Sequence, residues 1–189
     1  MHLAPDYPLT SDRLLLRPFV RGDLDAVHAY RSREDVTRFM LDPPLSREAC
    51  AEAIQLRVSQ TLWSEECDKI FLAVERREDG AMMGEVVLIL RDAASQQAEL
   101  GYTFNPVFHG QGYATEAGSR LLGLAFDEAG MHRVYARCHT GNVASRRVME
   151  RLGMRQEAHI REHRFSKGVW EDEFVFAILE DEWRLRFVR

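Results

Sequence analysis

Gly110 and Gly112 stand one residue apart in the run Phe108-His109-Gly110-Gln111-Gly112-Tyr113-Ala114-Thr115-Glu116-Ala117, where a strand pattern gives way to a helical one. Glycine lets a backbone turn with positive φ and come close to a ligand. The unpaired amides of the first helical turn then face that ligand, which suits phosphate oxygens. A plain β-to-α turn uses the same residues, so the pair of glycines alone is weak. It is not a Walker loop, because no Gly-Lys-Ser/Thr follows, and no third glycine completes a dinucleotide fingerprint.

A second run, Gly141-Asn142-Val143-Ala144-Ser145-Arg146-Arg147-Val148-Met149-Glu150-Arg151-Leu152-Gly153-Met154, opens another helix, with Asn142 at its N-cap. Other chemistry-bearing residues group poorly. Cys50, Cys67 and Cys138 have no C-x-x-C spacing, so neither a disulfide framework nor a zinc site is expected. Cys138 has no paired base and reads as a small buried hydrophobe. His159 and His163 share a strand face, but four residues of strand separate them by about 13 Å, too far for one metal ion. No metal is expected.

The elements that position these residues follow from periodicity and punctuation. Residues 13–19 read as a strand, 23–33 as a helix, and 46–65 as a longer helix capped by Ser46. Strands are expected over 70–74 and 83–90 about an Asp79-Gly80 turn, and over 98–104. A helix over 113–129 is stopped by Gly130. Then come a strand over 133–139, a helix over 142–152, and strands over 154–165 and 169–179. The order βααβββαβαββ makes an α/β (α+β) domain, with a mixed, mostly antiparallel central sheet and helices on both faces. Regular strand–helix alternation, which a dinucleotide-binding fold needs, is lacking.

In this setting the two runs resemble the acyl-CoA-binding core of the GNAT superfamily of N-acetyltransferases, and especially its RimJ/RimL-like branch. That branch shows a W/H-G-x-G-Y-A-T-E-A run and an N-x-x-S-x-x-V-x-E-x-L-G-F run. The opening Thr10-Ser11-Asp12-Arg13-Leu14-Leu15-Leu16-Arg17-Pro18-Phe19 resembles its first strand, and Ala98-Glu99-Leu100-Gly101-Tyr102 its fourth. The resemblance implies one N-acetyltransferase domain over 9–183. It also implies acetyl-CoA as co-substrate, with the loop His109, Gly110, Gln111, Gly112, Tyr113, Ala114 and Thr115 cradling the CoA pyrophosphate. His109 stands where the superfamily has Gln or Arg. The pantetheine arm would pair with the strand around Phe104 and bond to Asn142.

Acyl transfer to an amine needs a neutral amine, a polarised thioester carbonyl and a proton for the departing thiolate. On this resemblance Glu99, beside the expected strand bulge, accepts the amine proton directly or through water. Amides at the bulge would stabilise the oxyanion. Many superfamily members protonate the thiolate from a helix tyrosine, but Met149 holds that position here, so Ser145 is assigned to the sulfur. Phe39, Trp63 and Trp170 are candidates for the acceptor pocket, with core packing the stronger alternative for each.

The 189 residues are 46% hydrophobic and 29% charged, with a formal net charge of −5, an ordinary globular composition. Net acidity makes nucleic acid a poor partner. The N-terminal residues lack an apolar signal core, and no apolar run approaches a membrane span, so a cytoplasmic protein with no membrane partner is expected. The leading acceptor is a primary amine, with the N-terminal α-amine of a protein, such as a ribosomal one, favoured by the resemblance. A free amino acid, polyamine or amine antibiotic is the alternative, as is a non-catalytic acyl-CoA-binding sensor. Members of the branch often form homodimers, which the apolar run 174–178 would support unless it is a buried strand.

Overall fold

A computed structural model describes residues 2–186. Its centre is an eight-stranded sheet in the order β1-β2-β3-β4-β5-β6-β8-β7. The strands are β1 (Leu9–Thr10), β2 (Leu14–Pro18), β3 (Lys69–Arg76), β4 (Met82–Asp92), β5 (Gln97–Phe104), β6 (Arg133–His139), β7 (Arg155–Ser166) and β8 (Val169–Leu179). Every neighbouring pair is antiparallel except β5 and β6. A parallel pair cannot be joined by a hairpin and needs a crossover. Here α4 (Tyr113–Gly123), continued by a π turn over Leu124–Glu128, supplies it.

Alternation along the strands builds two cores. Leu72, Val86, Leu88, Leu100 and Val134 pack on one face with Leu121 and Leu122 of α4 and Met149 of α5 (Val143–Arg151). Ala73 packs on the other face with Val27 and Tyr30 of α1 (Leu24–Arg31) and with Cys50 and Ile54 of α3 (Arg47–Arg57). The expected layering, a mixed sheet with helices on both faces, is the one observed. Two short helices complete the chain, α2 (Glu34–Thr37) and α6 (Glu180–Leu185).

One local expectation needs correction. The helix begun at Ser46, whose Oγ accepts from Ala49 N at 3.2 Å, ends at Arg57 rather than near Glu65. Beyond it Trp63 pairs as an isolated bridge with Leu3, and its indole donates to Leu88 O at 3.1 Å. Burying that ring outweighs continuing the helix. The run 174–178 is an interior strand between β6 and β7, with Phe176 and Ile178 in the core, the buried-strand alternative. Finally, α6 follows β8 directly, where Glu182 accepts from Leu179 N at 3.0 Å.

Candidate active site

The chemistry gathers where β5 and β6 part. Their pairing lasts three rungs, Gln97–Arg133, Ala98–Val134 and Glu99–Tyr135, and then stops. From Leu100 to Phe104, β5 pairs only with β4, so its peptide groups on the β6 side have no strand partner.

The loop at the end of β5 has the backbone its sequence implied. Gly110 and Gly112 take φ of 77° and 83°, in the left-handed region that disfavours a side chain. Glu116 N is the first amide of α4 to bond back, onto Gly112 O at 3.0 Å, so those of Tyr113, Ala114 and Thr115 precede the ladder. The loop is braced from β2. Arg13 donates to Gln111 O at 3.1 Å and to Glu116 Oε2 at 2.6 Å, and lies 4.5 Å over the Tyr113 ring. Ser11 Oγ donates to Glu116 Oε1 at 2.7 Å. Burial pushes the Glu116 carboxyl up, but donors from Arg13 and Ser11 outweigh it and hold the carboxyl below its usual range. His109 turns away from the loop, its Nε2 3.1 Å from Phe104 O.

A groove of about 850 Å³ runs along this loop and α4. Thr115 Oγ1 borders it, buried and without a hydrogen-bond partner. An orphaned hydroxyl beside first-turn amides and left-handed glycines matches what a pyrophosphate accepts from. These residues fit CoA.

The first turn of α5 closes one side of the gap. Asn142 caps the helix, its Oδ1 accepting from Ser145 N at 3.0 Å. Ser145 Oγ lies 2.9 Å from the Tyr102 hydroxyl of β5, and that hydroxyl donates to Ser145 O at 3.0 Å. Burial pushes the Tyr102 phenol well up, opposed by its bond to Ser145. Cys138 of β6 lies against Ser145 too; burial and the nearby Glu173 charge push its thiol up to about 11. Met149 is fully buried in the core.

The opposite side is ionic. Glu99 stands on the last paired rung, as its place beside the bulge implied, but both oxygens are engaged. Arg91 Nε and Nη2 reach Oε2 at 2.8 and 2.7 Å, and Arg137 Nε reaches Oε1 at 3.0 Å. Arg137 also reaches Glu173 of β8 at 3.4 Å, which His163 of β7 meets at 3.3 Å. Nearer α1, buried Glu85 binds Arg57 and stands 3.8 Å from Arg31, tying α1 and α3 to β4.

The three candidate acceptor aromatics separate. Phe39 packs 5.0 Å from the His139 ring beside Gly141, next to the gap. Trp63 is a core residue on the α4 face, a correction to its expected place in a pocket, because its indole is sealed against β4. Trp170 is 60% exposed at the tip of the β7–β8 hairpin, edge-on to Phe165. That tip is tied to the end of α2, where Lys167 Nζ donates to Thr37 O at 2.7 Å. Tyr102, Arg137, Glu173 and His163 went unnoticed in the sequence as site residues.

A parted parallel pair, an anion cradle on the crossover helix and an amide-lined gap between them define an acyltransferase that receives an acyl-CoA. The chain belongs to the GNAT acetyltransferase family, whose domain model, described as "Acetyltransferase (GNAT) domain", matches residues 13–155. It is 31% identical over 93% of its length to the "Uncharacterized N-acetyltransferase YnaD" of Bacillus subtilis, covering 98% of that protein. Similarity at 22% extends over 92% of the chain, and 96% of the relative, to a spermidine N(1)-acetyltransferase of Vibrio cholerae. Among solved structures, a GNAT-family acetyltransferase from Bacillus anthracis superposes with a TM-score of 0.83 at 29% identity, covering 92% of this chain and 98% of that one. The protein is thus an acetyl-CoA-dependent N-acetyltransferase.

Proposed function

We propose that the chain acetylates the α-amine at a protein N-terminus by direct attack on the thioester, with no acyl-enzyme stage. The observation behind direct attack is the burial of the one cysteine beside the gap. Cys138 is buried, and that burial pushes its thiol up, which disfavours a thiolate that would form an acyl-enzyme. Acetyl-CoA supplies the acetyl group as an activated thioester. The cradle from Gly110 to Thr115 holds the pyrophosphate, Asn142 orients the pantetheine arm, and free β5 amides near Phe104 receive charge from the carbonyl oxygen. Ser145, held by Asn142 and Tyr102, donates toward the sulfur. Glu99 sits where a base would act, though in the company of two guanidinium groups.

A peptide acceptor is favoured by the rim. Phe165, Val169 and Trp170 are exposed at the hairpin tip, an apolar surface that residues behind a peptide's N-terminus can use. The second reading, a small amine such as a polyamine, is favoured by the Lys167 tie to α2, which closes one side of the approach, and by the spermidine-acetylating relative.

The test is thiol release from acetyl-CoA against N-terminal peptides, free amino acids, polyamines and aminoglycosides, with a blank for the exposed Cys67. Turnover of peptides alone supports the first reading and turnover of polyamines alone the second. Acetyl-CoA binding without turnover of any amine would leave a binding module and sink both.

A further inference from the structure

Glu99 and Glu173 stand on either side of one guanidinium. Arg137, two residues past the last β5–β6 rung, gives Nε to Glu99 Oε1 at 3.0 Å and Nη1 to Glu173 Oε2 at 3.4 Å. Both carboxylates are almost wholly buried and lie on the same face of the sheet, since Glu173 pairs in register with His139, two residues along from Arg137. They differ in the lone pairs left to them. Glu99 receives Arg91 and Arg137 over both oxygens, with Arg137 Nη2 adding a contact to Oε2 at 3.3 Å. Glu173 receives two long contacts, from Arg137 and His163, both on Oε2. Among the described residues none bonds its Oε1.

His163 reaches Glu173 because β7 is irregular. Between the pairs Ile160–Glu173 and Arg164–Glu171, β7 advances four residues while β8 advances two. Glu162 takes the slack with φ of 49°, and its N–H is pinned by Asp172 Oδ1 at 2.9 Å. Asp172 and Glu173 point to opposite faces, and the bulge deals one histidine to each: His159 to Asp172 at 2.7 Å and His163 to Glu173 at 3.3 Å. His163 is about one-third exposed, so it links the buried Glu173 to solvent.

We infer that Glu173 takes the proton released by the acceptor amine and that His163 passes it to water; the inference rests on the N-acetyltransferase reading above. As nitrogen bonds to the acetyl carbon and the carbon–sulfur bond breaks, an N–H proton moves to Glu173 Oε1, and its electron pair stays on nitrogen. The sulfur leaves with its bonding pair as a thiolate, to which Ser145 Oγ–H donates a hydrogen bond, and takes its proton from water on release. His163, neutral at the start, accepts the proton through Nε2 and releases one from Nδ1 to solvent. A histidine suits this task because it titrates near neutral pH. The titratable and charged groups nearest the pair are Arg137, Tyr135, His139 and Cys138 from β6, Glu99 from β5 and Arg91 from β4. Within the hairpin they are Asp172, His159, Glu171 and Arg164.

The experiment is the pH profile of kcat/KM for acetyl-CoA with a serine-initiated tetrapeptide, or with spermidine if the peptide is not turned over. The amine must itself be neutral and the relay must be free to take a proton, so the wild type should rise with slope two on its acid limb, easing to slope one toward alkaline pH. His163→Gln should give slope one throughout and about tenfold lower kcat at pH 7. Glu173→Gln should lose about 100-fold or more. Glu99→Gln should lose activity but keep the steeper acid limb. Should Glu173→Gln fail to fold, Glu173→Asp retains the charge, and a limb shifted in pH supports the pair. Slope two surviving in His163→Gln, or lost only in Glu99→Gln, overturns the pair while leaving the acetyltransferase standing. Absence of wild-type turnover with both amines overturns the two together.

Discussion

Tyr102 and Ser145 meet across the gap between β5 and α5: the phenol lies 2.9 Å from Ser145 Oγ and 3.0 Å from Ser145 O. One phenolic proton thus has two acceptors on a single residue. When it turns to Oγ, the serine's own proton is free to point at the sulfur. On the proposed reading, a tyrosine from the strand therefore supports the hydroxyl assigned to the sulfur, Met149 being buried in the core.

If that support matters, Tyr102→Phe should lower kcat about tenfold with KM for acetyl-CoA little changed, as expected for an interaction used chiefly in the transition state. Ser145→Ala should cost a similar factor, and the double variant hardly more than either single one. Steady-state kinetics of the four proteins decide it; simple additivity would show that the two residues act apart.

Gly112 caps α4 with φ of 83°, and an added Cβ there would meet only Arg13 Nη2, at an ordinary 3.6 Å. The cost of Gly112→Ala is thus backbone strain, about 1–2 kcal/mol. The loop can relieve it only by leaving the cradle shape, so CoA should bind roughly 5–30-fold more weakly. Gly130, with φ of 63° beyond the end of the crossover helix, is the comparison. Gly130→Ala should lower Tm and leave CoA affinity, read by calorimetry, as it was.

Glu116 gives a pH dependence whose sign can be worked out. Burial raises its carboxyl pKa, but bonds from Arg13 and Ser11 prevail and the folded value falls below the ordinary 4.5. The folded state then binds its proton less readily than the unfolded one. The stabilisation is complete above pH 4.5 and is lost as pH falls through the depressed folded value. Glu116→Gln should therefore lower Tm at pH 7 and flatten its decline in acid. A decline identical to that of the wild type would show that other carboxylates govern it.

Much of this was legible in the sequence, for a physical reason: helix caps, left-handed turns and alternation are set by residues close together in the chain. Gly110 and Gly112 announced the cradle, Asn142 the start of α5, and Asp79-Gly80 the β3–β4 turn. Trp63 was misplaced because a helical pattern ran on past Arg57, and only the core beneath β4 could show that burying the indole is worth more. His159 and His163 read as two histidines on one face because regular alternation was the only rule available. A bulge with Glu162 at its centre is decided by pairing with a strand not yet reached in the chain.

The sequence by itself determined the family, most of the element order short of β1, α2 and α6, and the glycine loop proposed for pyrophosphate, all carried by local pattern. The tertiary structure alone decided which charged groups face one another across the gap. Arg137 between Glu99 and Glu173, and Tyr102 over Ser145, join segments 36–43 residues apart along the chain. Local pattern places each side chain on a face; sheet register and the parting of β5 from β6 choose its partner. The roles of Glu99, Glu173 and Ser145 depend on those partners, because a carboxylate filled by two guanidinium groups and one with a free oxygen do different chemistry.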